Sequence, residues 1–302
     1  MSNTPEVYAA GDLAEGGEIF RQLNPPARLA IFGEPVAHSA SPRMQNAAFR
    51  HKNHPFQYVR ILVTKPELQI ALGNLAKSDF LGINITIPHK QEALSLVDEI
   101  SNEALLMGAI NTVAVRDGKL HGFNTDGPGF AAAVREEFDI PLGELRVLIL
   151  GGAGGAGRAI TIQCLLEGSS RVIIANRNQE NGNALAMEIL EKLGKEVISI
   201  SLDANDARLA EALSSIDLIV NATPLGMKGG DRSPLPEGLL TPNHLVFDTV
   251  YSGGTTDLLK QAKQAGARSA NGFSMLLHQG ALAYEIWFKE KAPLEVMRAA
   301  LQ

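Results

Sequence analysis

Cysteine is nearly absent. Cys164 is the only one among 302 residues, so no intramolecular disulfide can form. Its apolar helical surroundings point to core packing in a reducing compartment. No apolar run reaches the roughly 18 residues that would mark a membrane-spanning helix. The opening stretch MSNTPEVYAAGDLAEGG has no basic region followed by an apolar one, so it does not read as a signal peptide. The expected location is the cytoplasm. Basic residues are outnumbered: 27 Lys and Arg stand against 33 Asp and Glu, for a net charge of −6. Nucleic acid is therefore a poor default partner. The seven histidines show neither His-x-x-x-His nor Cys–His spacing, so no metal site is expected.

Glycine, by contrast, is plentiful at 29 residues, which suits tight turns and close backbone approaches. From residue 28 onward, short apolar or alternating runs alternate with helical patterns. In the first part, strands are expected near residues 28–33, 56–63 and 81–87, helices near 42–51, 66–76 and 91–100, and a hairpin around Asp117-Gly118. Asn84 and Thr86 share one face of the 81–87 strand, which turns Ile85 and Ile87 into the core. The polar, glycine-rich run from Asn124 to Gly129 is the preferred first boundary. After it, LRVLIL at 145–150 reads as a fully buried parallel strand and opens a longer βαβ series.

The fold class expected is therefore α/β and two-lobed. An N-terminal α/β substrate domain precedes a Rossmann-like, doubly wound parallel-sheet domain, with a cleft between them as the usual ligand position. Its parts are an extension at 1–27, a substrate-binding and catalytic domain at 28–127, and a dinucleotide-binding domain at 128–271. The C-terminal helices at 272–302 pack back on the substrate domain. The extension reads as a surface appendage that packs on the body, with a short helix from Asp12 to Leu23 whose apolar positions are Leu13, Ile19, Phe20 and Leu23 and which ends at Asn24-Pro25-Pro26; no function is read from it.

The turn after strand 145–150 is Gly151-Gly152-Ala153-Gly154-Gly155-Ala156-Gly157-Arg158, with a strand leading in and a helix leading out. Such a turn lets phosphate oxygens approach the main chain and the helix N-terminus. The next strand ends Ala175-Asn176-Arg177-Asn178. An NAD site usually carries an acidic residue there to hold the ribose hydroxyls. None is present, and Arg177 offers its donor fork to a 2′-phosphate. NADP is thus preferred, with NAD as the alternative.

Seven further motifs run in order along the chain. The first four are Gly33-x-Pro35-x-x-His38-Ser39-x-Ser41-Pro42, Asn84-Ile-Thr86-Ile-Pro88-His-Lys90, Gly108-Ala-Ile-Asn111-Thr112 and Asn124-Thr125-Asp126-Gly127. The last three are Asn221-Ala-Thr223-Pro-Leu-Gly226-Met227, Asp248-Thr-Val-Tyr251 and Gly272-Phe-Ser-Met275-Leu-Leu-His-Gln279. In this order they closely resemble the shikimate dehydrogenase family, including its quinate/shikimate branch, over about residues 28–290.

The resemblance implies a reversible, NADPH-dependent reduction of 3-dehydroshikimate to shikimate, a step of aromatic amino acid biosynthesis. It implies that Ser39 and Ser41 bind the substrate carboxylate. Asn84, Thr86, Lys90, Asn111, Asp126 and Gln279 surround the ring hydroxyls and the reacting carbon, and Tyr251 lies near the substrate. Gly152, Ala153, Gly154, Gly155 and Ala156 form the pyrophosphate turn. Asn176, Arg177 and Asn178 form the adenosine-phosphate motif, while Thr223, Thr249 and Gly272 join the cofactor group. There are departures too. Asn178 replaces a family threonine, Gln45 stands where a histidine is common, and Ser252-Gly253-Gly254 replaces a proline-containing segment and suggests a more mobile loop.

Lys90 is read as the proton donor to the forming alkoxide, stabilising its charge as an ammonium, with Asp126 orienting it. Alcohol oxidation needs Lys90 without its proton, so it should quicken at alkaline pH. Plainer readings exist: Lys90 as a solvated lysine, Asp126 as an Asx-turn residue before Gly127, and Ser41 as the cap of the helix starting at Pro42. The expected partner is a small molecule of shikimate or quinate type, with neither nucleic acid nor membrane. A homodimer is compatible with the sequence. Two alternatives stand beside this reading. One is a quinate/shikimate or NAD-using family member. The other is a non-catalytic dinucleotide sensor, which the intact Lys90 and Asp126 disfavour.

Overall fold

A computed structural model describes residues 6–203, 206–251 and 254–302. The chain divides into two compact units, Met1–Thr125 with Leu277–Gln302, and Asp126–Leu276.

The first unit is built on a seven-stranded sheet. Its strands are β1 (Tyr8–Ala9), β2 (Ala27–Gly33), β3 (Gln57–Leu62), β4 (Gly82–Ile85), β5 (Glu99–Ile100), β6 (Thr112–Arg116) and β7 (Lys119–Phe123). Their spatial order is β1-β3-β2-β4-β6-β7-β5. β2, β3 and β4 are parallel, and β6 runs antiparallel to both β4 and β7. The β6–β7 hairpin turns at Asp117 and Gly118, both with positive φ (52° and 72°), as an Asp-Gly turn of that handedness requires. Alternation divides the sheet faces. Phe32, Ile61, Ile83 and Ile85 point into one apolar core with Leu68 and Leu72. The opposite face carries a row across three strands, Arg60 beside Ile31 and Ile31 beside Asn84.

The N-terminal segment does pack on the body, and it goes further than an appendage by adding a strand to the sheet. β1 pairs in parallel with β3. Tyr8, Leu13 and Phe20 are all buried in the main core of the unit. The Phe20 ring lies 4.9 Å from Tyr8 and 5.2 Å, edge on, from Phe80. These few apolar positions have no partner nearby in sequence to reveal this; the core they complete is made by distant strands. Replacing Phe20 with alanine is expected to cost about 3–5 kcal/mol and to lower Tm by about 10 °C. Thermal unfolding followed by circular dichroism checks this, and a loss below about 1 kcal/mol would contradict the packing role.

Three other expectations for this unit are corrected. The 81–87 strand ends at Ile85, and the chain turns, with His89 N–H donating to the Thr86 carbonyl at 3.0 Å. Ile87 sits in that turn and is 59% exposed, not in the core. Residues 91–100 are not one helix. A 3-10 turn at Glu92–Leu96 gives way to β5, which pairs with β7. Ser41 does not cap its helix. The helix Ser41–His51 has Ala40 at the cap position and no side-chain cap. The Ser39 hydroxyl instead accepts the Ser41 N–H at 3.3 Å.

The second unit opens with the helix Asp126–Phe138. The Asn124–Gly129 run is therefore partly helical, since Pro128 falls in the first turn, where its missing N–H is harmless. Its sheet contains β8 (Val147–Leu150), β9 (Val172–Asn176), β10 (Ile198–Ser201), β11 (Leu218–Asn221), β12 (Leu245–Asp248) and β13 (Arg268–Ala270). All are parallel, in the order β10-β9-β8-β11-β12-β13. Numbered within the unit this is 3-2-1-4-5-6, the doubly wound dinucleotide-binding order. The four residues of β8 and the four of β11 are all buried, which is why they read as continuous apolar runs. Cys164 is buried in helix Gly155–Glu167, and burial pushes its thiol well above the usual range. Among the described residues, no helix is long and apolar enough to cross a membrane.

Candidate functional site

In open α/β sheets, ligands sit at the carboxyl ends of the strands. In the first unit, β2 and β4 are parallel neighbours, so the loops leaving their ends start side by side. They are held in contact. Glu34 N–H donates to the Ile87 carbonyl at 2.9 Å, and Thr86 N–H donates to the Phe32 carbonyl at 2.9 Å. Gly33 permits this approach, because a Cβ there would stand 2.3 Å from Thr86 Cγ2. Ser39 lies half-buried beyond that contact and Ser41 is buried. The Arg60 guanidinium fixes their loop by donating to the Ser39 carbonyl from Nη2 at 2.7 Å and Nε at 3.2 Å.

Lys90 ends the turn after β4 and is half-buried. Its carbonyl accepts the Ile110 N–H at 2.7 Å, next to Asn111. His89, wholly buried, brings Nε2 to 2.6 Å from the Val63 carbonyl. A carbonyl only accepts, so Nε2 carries the proton. The Lys90 backbone is thus tied to the sheet on both sides without using its own side chain.

Behind these loops runs a buried polar network. Asn84 Oδ1 accepts the Tyr58 hydroxyl at 2.7 Å, and Asn84 Nδ2 donates to the Asn111 carbonyl at 3.2 Å and to Thr112 Oγ1 at 3.0 Å. Burial pushes the Tyr58 phenol well above its ordinary value, which keeps it a donor. The Asn111 side chain donates to Thr125 Oγ1 at 2.9 Å and accepts the Thr125 N–H at 2.8 Å. Buried amides demand such partners. Asn84 is therefore engaged with protein groups, and it braces Asn111 instead of presenting a free amide. Gln279 is half-buried in helix Phe273–Phe288. The neighbouring Gly280 carbonyl accepts Gln45 Nε2 at 2.9 Å.

In the second unit the glycine turn follows β8. Gly154 caps the helix Gly155–Glu167 without any side-chain cap, which leaves first-turn N–H groups for a ligand. The turn is closed by Gly154 N–H donating to the Gly151 carbonyl at 2.9 Å. Asn176, at the end of β9, accepts the Ala153 N–H on Oδ1 at 3.0 Å, while its buried Nδ2 has no partner among the described residues. Arg177 is exposed, and Asn178 caps the next helix by accepting the Glu180 N–H at 3.0 Å. Uncapped N–H groups, an orphaned amide and an exposed guanidinium around one turn fit a dinucleotide with an extra phosphate.

Thr223, Thr249 and Tyr251 follow the ends of β11 and β12 in the chain. Thr223 donates to Asn221 Oδ1 from its hydroxyl at 2.7 Å and its N–H at 3.0 Å. Asn221 in turn donates to Asp248 Oδ1 at 2.9 Å. Burial raises the Asp248 carboxyl above its ordinary value, against hydrogen bonds from Thr256, Val250 N–H and Asn221. This brace carries Thr249, and Gly272 N–H reaches back to the Val250 carbonyl at 3.2 Å. The Tyr251 ring lies 5.8 Å from that of Phe273. Ser252 and Gly253, where a mobile loop is expected, lie outside the described residues. Asp126, buried, is the first residue of its helix and follows Thr125 directly.

Sequence reasoning missed several supports. Tyr58 and Arg60 lie outside every motif, and the motif that contains Thr125 does not assign it these contacts. Arg158, in the helix after the glycine turn, is paired with Glu188 at 2.5 Å. Hydrogen bonds from Arg158, reinforced by Lys192, hold the Glu188 carboxyl down at about 2. Among the described residues, no group of three or more His, Cys, Asp or Glu side chains gathers as metal ligands.

Residues 31–113 match the profile described as the shikimate dehydrogenase substrate binding domain, and residues 272–302 that of the shikimate 5′-dehydrogenase C-terminal domain. Residues 147–226 match a saccharopine dehydrogenase NADP binding domain. A shikimate dehydrogenase (NADP(+)) of Desulforamulus reducens is 42% identical over 274 residues, covering 90% of this chain and 93% of the relative. A solved shikimate dehydrogenase in complex with NADP+ superposes with a TM-score of 0.82 at 37% identity, over 93% of this chain and 96% of that one. The shikimate 5-dehydrogenase of Thermus thermophilus, solved with NADP(H) and shikimate, gives 0.80 at 35% identity, over 91% and 98%.

Proposed function

The chain belongs to the shikimate dehydrogenase family, and from that membership we propose that it interconverts 3-dehydroshikimate and shikimate with NADP(H), a step of aromatic amino acid biosynthesis. The observation that carries the reading is the contact between the serine loop after β2 and the Thr86–Lys90 turn after β4. It presents carboxylate-binding hydroxyls and an ammonium from one sheet end.

Bound NADP supplies or accepts the hydride. The chain does the rest. Ser39 and Ser41 hold the substrate carboxylate. Thr86, Asn111 and Gln279 bond ring hydroxyls, with Tyr251 near the substrate, and Asn84 braces Asn111. Lys90 donates a proton to the oxygen of the reacting carbon during reduction and stabilises its developing charge. Asp126 orients Lys90. Gly152 to Ala156 would hold the pyrophosphate, Asn176, Arg177 and Asn178 would meet the adenosine ribose and its phosphate, and Thr223, Thr249 and Gly272 would complete the cofactor group, with Thr249 and Gly272 beside the nicotinamide. The domain reading assigns substrate binding to 28–127, with helices of 272–302 joined to it, and the dinucleotide to 128–271. The buried, inert Cys164 supports a reducing, cytoplasmic setting.

Steady-state rates with shikimate and quinate, each with NADP+ and NAD+, test the assignment. Shikimate with NADP+ is expected to give the highest kcat/KM, about tenfold or more above NAD+, the worth of one charge-assisted contact to the phosphate. Turnover that is equal or better with NAD+ would overturn the cofactor preference. Failure to oxidise either acid would overturn the activity.

A further inference from the structure

On the sheet face opposite the first unit's main core, Arg60 occupies the row Arg60–Ile31–Asn84. It points to the side that also carries Tyr58, two residues earlier. Its guanidinium spends two donors on one acceptor, the Ser39 carbonyl. Its remaining N–H groups have no hydrogen bond or ion pair among the described residues. Three other arginines are neutralised at contact distance, Arg158 by Glu188, Arg146 by Asp217 and Arg208 by Asp206, whereas Arg116, like Arg60, hydrogen-bonds only a main-chain carbonyl among the described residues, that of Ile286. Spare guanidinium donors suit a carboxylate, which arginine bonds through its planar fork. Beside it, buried Ser41 has a hydroxyl without a hydrogen-bond partner among the described residues. Ser39 keeps its hydroxyl proton, because Oγ is used only as an acceptor, from Ser41 N–H.

We propose that Arg60 is the charge-specifying residue of the substrate carboxylate subsite, drawing the anion onto the Ser39 and Ser41 hydroxyls while holding their loop. The assignment rests on the functional reading above. Two hydroxyls alone would bind a neutral ester or amide nearly as well as an acid. A guanidinium at their backbone makes the subsite select the ionised acid, since hydrogen bonds to charged groups are the stronger class.

Two variants separate this from a merely structural clamp. Arg60→Gln keeps an N–H donor for the Ser39 carbonyl and removes the charge. Arg60→Lys keeps the charge and gives up the fork. Each is assayed with shikimate and with its methyl ester, and NADP+ affinity is measured alongside as a check on folding. Arg60→Gln is expected to raise KM for shikimate roughly 10- to 100-fold, with kcat and the KM for the ester within about threefold of the unaltered chain. Arg60→Lys is expected to recover most of the loss for the acid. An equal rise for acid and ester would reduce Arg60 to a loop clamp, and an unchanged KM for the acid would exclude it from the subsite; either overturns the proposal. Absence of shikimate turnover by the unaltered chain would overturn the functional reading itself, and this assignment with it.

Discussion

Replacing Lys90 with alanine is expected to lower kcat for 3-dehydroshikimate reduction by roughly 10² to 10⁴, the usual contribution of one acid–base group. The variant should fold normally. The turn that carries Lys90 is anchored by main-chain bonds at Thr86, His89 and Ile110 and by the His89 ring on the Val63 carbonyl. None of these uses the lysine side chain. NADPH affinity should therefore persist while the chemical step slows. Single-turnover measurement of hydride transfer isolates that step, and a kcat within a few-fold of the unaltered chain would remove Lys90 from the mechanism.

Gly157→Ala is the second large effect. A Cβ at Gly157 would stand 2.2 Å from the Gly151 carbonyl oxygen and 2.9 Å from Gly152 Cα. Both are backbone atoms and cannot swing aside, so the turn or the helix start must move. Overpacking of this kind costs about 1–3 kcal/mol. The larger consequence is for the phosphate cradle, where a displacement of a few tenths of an ångström misaims the first-turn N–H groups. NADP+ affinity is expected to fall by at least about 100-fold, as when a pair of charge-assisted hydrogen bonds is lost. Gly73→Ala is the control, an exposed helical position of the first unit where nothing lies within 4 Å of an added Cβ. Calorimetric titration of NADP+ into each variant reads both. If Gly157→Ala binds as tightly as the control, the close approach is not what shapes the cradle.

Legibility in the sequence follows a physical line. The second unit is readable because its strands are buried on both faces and appear as apolar runs, and because turn, helix and strand follow at short range. The serine loop, the Lys90 turn and the Asn176–Asn178 corner stand out in the sequence as polar residue types at fixed spacing. What sequence does not reveal depends on contacts distant along the chain. Tyr8 and Phe20 belong to the core only because β3 and Phe80 come to meet them. Glu99–Ile100 is a strand only because β7 offers an edge. Ile87 leaves the alternating pattern because the chain turns after Ile85, and Ser41 does not cap because the helix starts one residue early, at Ser41 itself. Asn84, grouped with the ligands by its motif, is committed to Tyr58, Asn111 and Thr112. Arg60 is invisible for the same reason: nothing local marks an arginine in a strand as the neighbour of a serine loop 21 positions away.

The central claim is that one ammonium and one carboxylate act as a single proton-transfer unit. A double-mutant cycle on Lys90→Ala and Asp126→Asn, read in kcat for reduction, tests it directly. If they act together, the double variant loses about as much as Lys90→Ala alone, because a partner cannot be missed once its counterpart is gone. Losses that multiply would show two groups working independently, and would contradict the account.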